Sequence, residues 1–216
     1  MCWSEEVSLA FSLVALLCIA ILLCRQREND ARYAAMLSGV AAQELAQYAL
    51  WADGLSGPCT RRKALLSMAT MAGSHAIPVS MLLLAHPKCR KEAVQGFALL
   101  AAEAAVVIGS VVVTSLHCVE VGPSGHQVWP CARAVHGAGG IPLYALSLVL
   151  YAGAIVKALS AMRLPTLETK WITRIGTCTV SAVYLMYACT LEACSVWCWS
   201  AFLLGLYFVC RPESTG

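Results

Sequence analysis

Charge is what this sequence has least of. Asp, Glu, Lys and Arg make up only 12% of its 216 residues, about half the share of a soluble domain, whose surface must face water. A chain with so little charge does not read as a cytosolic single-domain enzyme, a nucleic-acid module or a disordered segment. The formal net charge of +3 is small and scattered, which is no nucleic-acid footprint. Chemistry-bearing signatures are missing too. The last apolar segment has no Lys, so it cannot hold a retinal Schiff base. No Asp-Arg-Tyr or Asn-Pro-x-x-Tyr feature of the large receptor family occurs, and no His-x-x-x-His pair of an intramembrane metal hydrolase. A Gly-rich phosphate loop, a Ser nucleophile elbow and a Cys-x-x-Cys motif are likewise absent. Together these lower the expectation of catalysis, and whether the chain is an enzyme stays open, leaning against.

What the chain has instead is apolar length: 59% of its residues are hydrophobic. A bilayer core about 30 Å thick takes roughly 20 such residues as a helix. Seven segments read this way: Val7–Cys24, Tyr33–Ala52, Ala64–Ala85, Ala93–Leu116, Ile141–Ala161, Ile175–Leu191 and Val196–Cys210. The runs are continuous, whereas barrel strands would alternate over about ten residues. The expected fold is therefore all-α, a single polytopic domain over residues 1–216 with seven transmembrane helices. The first segment opens on Glu5 and Glu6 and is followed by Arg25, Arg27 and Arg32. That is the pattern of a retained helix rather than of a cleaved signal peptide.

Orientation follows from the cations in the connections. Eleven fall on one side: Arg25, Arg27, Arg32, Lys88, Arg90, Lys91, Lys157, Arg163, Lys170, Arg174 and Arg211. Four fall on the other: Arg61, Arg62, Lys63 and Arg133. The N-terminus is thus expected outside and the C-terminus inside, with the Arg61–Lys63 run dissenting. Trp3, Trp51, Trp129, Trp197 and Trp199 would lie on the outer side and Trp171 on the inner, where amphipathic rings prefer to sit. Residues 117–140, rich in Gly, Pro and His, form the longest connection, an outer loop between helices four and five.

Twelve cysteines are many for this length. Those on the outer side can persist as disulfides, and Cys118 and Cys131, in one loop, are the expected pair. His117, His126 and His136 share that loop, but their spacing with the cysteines matches no compact zinc pattern. No metal and no cofactor are expected.

Ionisable groups at bilayer depth are costly and draw attention by default. Glu44, His75 and Glu103 each lie about eleven residues from a span end, which places all three roughly 16 Å deep on adjacent helices. Two readings stand side by side: a proton- or cation-handling site, or a hydrogen-bonded cluster that packs helices together. Gln43 and Gln47 flank Glu44, and Glu44, Gln47 and Trp51 share one face at i, i+3, i+7 spacing. Tyr144, Ser147 and Tyr151 repeat that spacing in the fifth segment and Ser181, Tyr184 and Tyr187 approximate it in the sixth. These stripes would line an outward-facing cavity or serve as packing. Ser4, Ser8 and Ser12 form a small-residue stripe suited to close helix approach.

The opening Met1-Cys2-Trp3-Ser4, with Ser8, resembles a group of multi-spanning membrane proteins of bacteria and large DNA viruses whose chains begin MCFS or MCWS. Gln43–Trp51 (QELAQYALW) is similar to that group's Gln-rich second helix ending in Trp. The group has an acid four residues before that Trp, where this chain has Gln47 and carries its acid at Glu44 instead. Trp171, Arg174 and Gly176 look like the entry to its sixth helix, and Ser195-Val196-Trp197-Cys198 like its SVWC motif at the last. The resemblance implies a seven-helix architecture and brings no established activity with it. The motif residues Cys2, Trp3, Trp51, Trp197 and Cys198 would all lie at outer helix ends, forming a cavity entrance in which Cys2 and Cys198 are expected neighbours.

The function expected from all this is binding or movement of a proton, cation or small solute through an outward-facing polar cavity. A seven-helix receptor or sensor without transport, and an intramembrane enzyme using outer Cys and His residues, are the alternatives. The expected partners are the lipid bilayer and a small solute or ion, with no nucleic acid. A homo-oligomer is compatible with the sequence, as is either the plasma membrane or an endomembrane.

Overall fold

The computed structural model describes residues 4–27, 29–55, 57–115, 117–162, 174 and 198–211. It is mostly helical, at 82%. Helix α1 spans Glu5–Arg25 and begins where the Ser4 hydroxyl accepts a hydrogen bond from the Val7 amide at 3.3 Å. Glu5 and Glu6 in its first turn and Arg25 in its last match the helix dipole. Helix α2 spans Asp30–Ala52. Helix α3 spans Arg61–Leu83 and is capped by Thr60, whose hydroxyl accepts from the Lys63 amide at 3.1 Å. A single 3-10 turn, Pro87–Cys89, leads into α4, Arg90–Thr114. Then come a two-stranded antiparallel hairpin (β1 Glu120–Val121, β2 Gln127–Val128), α5 at Pro130–Met162, and α6 at Cys198–Cys210.

Among the described residues, four stretches are long and apolar enough to cross a membrane: Glu5–Arg25, Arg61–Leu83, Pro87–Thr114 and Pro130–Met162. Helix α2 is as long as α3 but less apolar, and its polar residues Asp30, Gln43, Glu44 and Gln47 are all buried. It lies against both α1 and α3 as the innermost rod of the described bundle. The expected sixth span, Ile175–Leu191, lies outside the described residues.

Two glycines bring α2 and α3 close. A Cβ at Gly73 would sit 2.7 Å from the Gln43 Cα, and one at Gly39 would sit 2.8 Å from the Ile77 backbone nitrogen. Small residues at such a crossing let two backbones touch and gain dispersion contacts that lipid cannot supply. Ser8 and Ser12 on α1 are buried as the stripe requires, the Ser12 hydroxyl donating to the Ser8 carbonyl at 2.7 Å, while Ser4 is the cap rather than a packing residue.

The connection at 117–140 is more structured than a loop. It holds the hairpin, and from Pro130 to Gly139 it is already helical. Gly140, at φ 65° and ψ −159°, breaks that helix. Pro142, just beyond, lacks the N–H that would continue the ladder, and only glycine takes this backbone angle without a Cβ clash. The expected start of the fifth span, Ile141, therefore coincides with a kink inside one long helix. Trp129, expected at an interface, is instead core, packed with Leu50, Leu55 and Val119.

The expected Cys118–Cys131 bridge does not form: Cys118 is bonded to Cys59, with the Cα atoms 5.8 Å apart. The hairpin strand lies over α3, where the Val119 amide donates to the buried Ser67 hydroxyl at 2.9 Å. That docking carries Cys118 to the start of α3, beside Cys59, whereas Cys131 sits in the first turn of α5 and packs against the Trp129 cluster.

The opposite end is tied by charge. Asp30 is 1% exposed and accepts from both Arg25 nitrogens at 2.9 Å, from the Arg27 amide at 2.9 Å and from Arg211 at 3.0 Å. Arg25 also donates to the Phe208 and Val209 carbonyls, satisfying the end of α6. Tyr33 stacks on Phe208 at 4.0 Å, with the Arg211 guanidinium 4.8 Å from its ring centre. Burial alone would raise the Asp30 pKa. The hydrogen bonds from Arg25, Arg27 and Arg211 outweigh it and hold the carboxyl at about 2.

Candidate functional site

His75 lies near the middle of α3 and Glu103 near the middle of α4. Their side chains meet, His75 Nε2 to Glu103 Oε2, at 2.6 Å. Glu103 is 6% exposed and His75 27%. Its other carboxylate oxygen, Oε1, accepts from the Ser147 hydroxyl of α5 at 3.2 Å.

The imidazole's other nitrogen, Nδ1, lies 2.8 Å from the Met71 carbonyl. A carbonyl only accepts, so Nδ1 carries a proton. The Ser74 hydroxyl, which spends its own proton on the Met71 carbonyl at 2.7 Å, is 3.3 Å from the same nitrogen. The tautomer is thus set by the helix itself, and only the Nε2–Oε2 contact can change protonation. A bond of that length needs one proton between the two atoms. The pair is either imidazolium with carboxylate or imidazole with carboxylic acid, and the two states differ by a short proton shift.

A proline completes the cluster. Pro78 has no N–H, so the carbonyl four residues back, that of Ser74, loses its helical partner. The Tyr151 hydroxyl of α5 donates to that carbonyl at 2.7 Å. The Tyr151 ring also stands edge-on to the His75 ring, with centroids 5.6 Å apart. Three helices therefore meet at one level through a proton-sharing pair, a serine and a tyrosine.

Of the three ionisable residues singled out in the sequence, two are joined. Glu44 is fully buried on α2, next in sequence to Gln43, which meets Gly73. His75 follows Gly73 by two residues, about 200° round the α3 axis, and so faces α4 and α5 rather than α2. Gln43 and Gln47 are buried with Glu44 on α2. Ser147 and Tyr151 belong to the stripe that the spacing singled out, and both join the cluster. Tyr144 of the same stripe is buried with Val107 and Val111 of α4. Ser74 and Asp30 carried no such signal in the sequence. Ser74 was recognisable only through Pro78, which orphans its carbonyl. Asp30 was recognisable only as one of two acids, with Glu28, between Arg27 and Arg32.

Among the entrance residues, Trp51 lies against the Leu50–Trp129 cluster. Cys2, Trp3, Trp197 and the Cys198 side chain lie outside the described residues, as do Ser181, Tyr184 and Tyr187. Among the described residues no group of three His, Cys, Asp or Glu side chains is placed to hold a metal ion.

No family model matches the chain, and neither does any curated protein or solved structure. The functional reading rests on the geometry alone.

Proposed function

We propose that this is a seven-span membrane protein in which the His75–Glu103 pair is a proton-exchanging centre, serving the binding or passage of a proton, cation or small solute. The observation that carries the reading is the 2.6 Å bond with its single proton, buried at mid-helix where ionisable groups are costly.

The chemistry follows from the bond. A second proton neutralises Glu103 and leaves His75 cationic, which ends their attraction. Loss of the shared proton sets a lone pair against a carboxylate. Either change breaks the tie between α3 and α4, so proton exchange is coupled to helix movement. Ser147 keeps Glu103 aimed, and Tyr151 holds the proline-weakened turn of α3 beside it.

Several features support seven spans with the N-terminus outside. α5 and α6 both finish at the Asp30 end, where Arg32 donates to the Met162 carbonyl and Arg25 to those closing α6. That parity asks for one further crossing in the sequence between them, and Ile175–Leu191 is the apolar run there. Cys59 and Cys118 are bridged at the other end, which suits an oxidising side. The dissenting cations of that end are partly spent within the fold. Lys63 is buried and donates to the Leu55 and Gly57 carbonyls at 2.5 and 2.9 Å, and Arg62 pairs with Asp53 at 3.0 Å.

The test is proton flux in liposomes carrying the purified protein and an internal pH dye. An imposed gradient should drive uptake that Glu103→Gln and His75→Gln each reduce at least tenfold. Equal flux in all three proteins would remove the proposal. Ligand binding without flux would point to a sensor.

A further inference from the structure

We propose a second site, under the hairpin, that takes a small uncharged molecule rich in hydroxyl groups. It is distinct from the His75–Glu103 cluster and does not depend on proton exchange there.

The hairpin register pairs Glu120 with Val128 and Val121 with Gln127. Continued by one step, it sets Val119 opposite Trp129, and both pack onto Leu50 and Leu55. Side chains alternate along a strand, so Gln127 shares the face of Trp129, the face turned to the helices. Gln127 itself is completely buried, although Val121 opposite it is exposed. From below, α2 offers Trp51, packed on the same cluster, and Gln47, one turn earlier on the same helix face and also fully buried.

Four polar groups thus gather around one apolar cluster, and among the described residues none has a hydrogen-bond partner. They are both side-chain atoms of Gln47, both of Gln127, and the indole nitrogens of Trp51 and Trp129. Leaving such groups unbonded costs about 1–3 kcal/mol each, and native interiors rarely do so. Four together, on two separate elements, mark a place where something else supplies the bonds.

The chemistry of the four defines the guest. The four groups themselves are neutral, so what they offer is hydrogen bonds rather than charge. Each carboxamide has two N–H bonds and one carbonyl oxygen, and each indole one N–H, so donors outnumber acceptors. A hydroxyl group both donates and accepts and can meet either kind. Leu50, Leu55 and the two indole rings offer flat apolar surface to a carbon skeleton. A polyol or sugar-sized molecule has both features. The Cys59–Cys118 bond and the Val119–Ser67 hydrogen bond hold the hairpin over this cluster, so the cover is pre-positioned.

Tryptophan fluorescence of the purified full-length protein, titrated with sorbitol, glucose and N-acetylglucosamine, tests the proposal. At least one should give a saturable change, while the charged counterparts gluconate and glucosamine give none. Gln47→Met and Gln127→Met should each weaken that binding about tenfold, the worth of one lost hydrogen bond at about 1.4 kcal/mol. Both variants should melt no lower than the parent, since each removes a buried amide that the empty protein leaves unbonded. A flat response to all three neutral probes, or equal binding by parent and variants, would mean that water alone fills the place and would overturn the proposal.

Discussion

The two ends of the bundle are closed by opposite means. At the Asp30 end each carboxylate oxygen is bonded, and Arg25 reaches it from the end of α1 and Arg211 from just past α6. At the hairpin end a disulfide, the Val119–Ser67 hydrogen bond and the Arg133–Glu120 pair do the holding, and the Gln47 and Gln127 amides and the Trp51 and Trp129 indoles are left with nothing to bond among the described residues. The difference separates two uses of buried polarity. Where a buried carboxylate is met by several donors, as Asp30 is, polar groups fasten helices together. Where they are unmatched, or share one proton between two bases as His75 and Glu103 do, the arrangement is open to exchange with a guest or with solvent.

Three experiments would sharpen or break that contrast. The largest effect is expected from Asp30→Ala, which strands two arginines around a buried gap and should cost about 3–5 kcal/mol, read as a lowered denaturation midpoint in micelles. A loss below about 1 kcal/mol would show that the knot does not hold α1, α2 and α6 together. The same carboxyl sets an acid limit. Its pKa in the folded protein is about 2, below the value near 3.9 of an unfolded chain. Its contribution is therefore complete above about pH 4 and fades as pH falls toward 2. A midpoint that does not move over that window would contradict the assignment.

Reducing the Cys59–Cys118 bond comes next. It closes a loop of 59 residues, and its removal should cost about 2–4 kcal/mol. The loss should appear as earlier protease cleavage in the hairpin, with the Asp30 end still protected. Uniform loss of protection at both ends would show that the two closures are not independent. Smallest is Tyr151→Phe, which takes the donor from the Ser74 carbonyl and should cost about 1–2 kcal/mol. It should shift the pH dependence of any flux more than it shifts stability, because the turn it steadies carries His75.

Much of this was legible in the chain. Continuous apolar runs with sparse charge announce long helices, but α5 begins at Pro130, eleven residues before the expected start at Ile141, which falls at the kink instead. His75 and Glu103 stood out because charge at that depth is expensive, and helical spacing marked Ser147 and Tyr151 as one stripe without saying what that stripe would touch. The disulfide was misread because proximity in sequence favoured Cys131. The choice was made by the hairpin's docking on Ser67, a contact between residues 52 positions apart. Glu44 was grouped with His75 by depth alone, and depth says nothing of azimuth.

The sequence by itself determined that the protein is mostly helical, with helices long and apolar enough to cross a membrane and with His75 and Glu103 near mid-helix, because hydropathy and a rise of about 1.5 Å per residue act along one axis. Only the tertiary structure decided which of those side chains share a proton, which cysteine takes which, and which glutamines and tryptophans end up under the hairpin. Those outcomes depend on helix rotation and on contacts between distant segments, which no periodicity along the chain encodes.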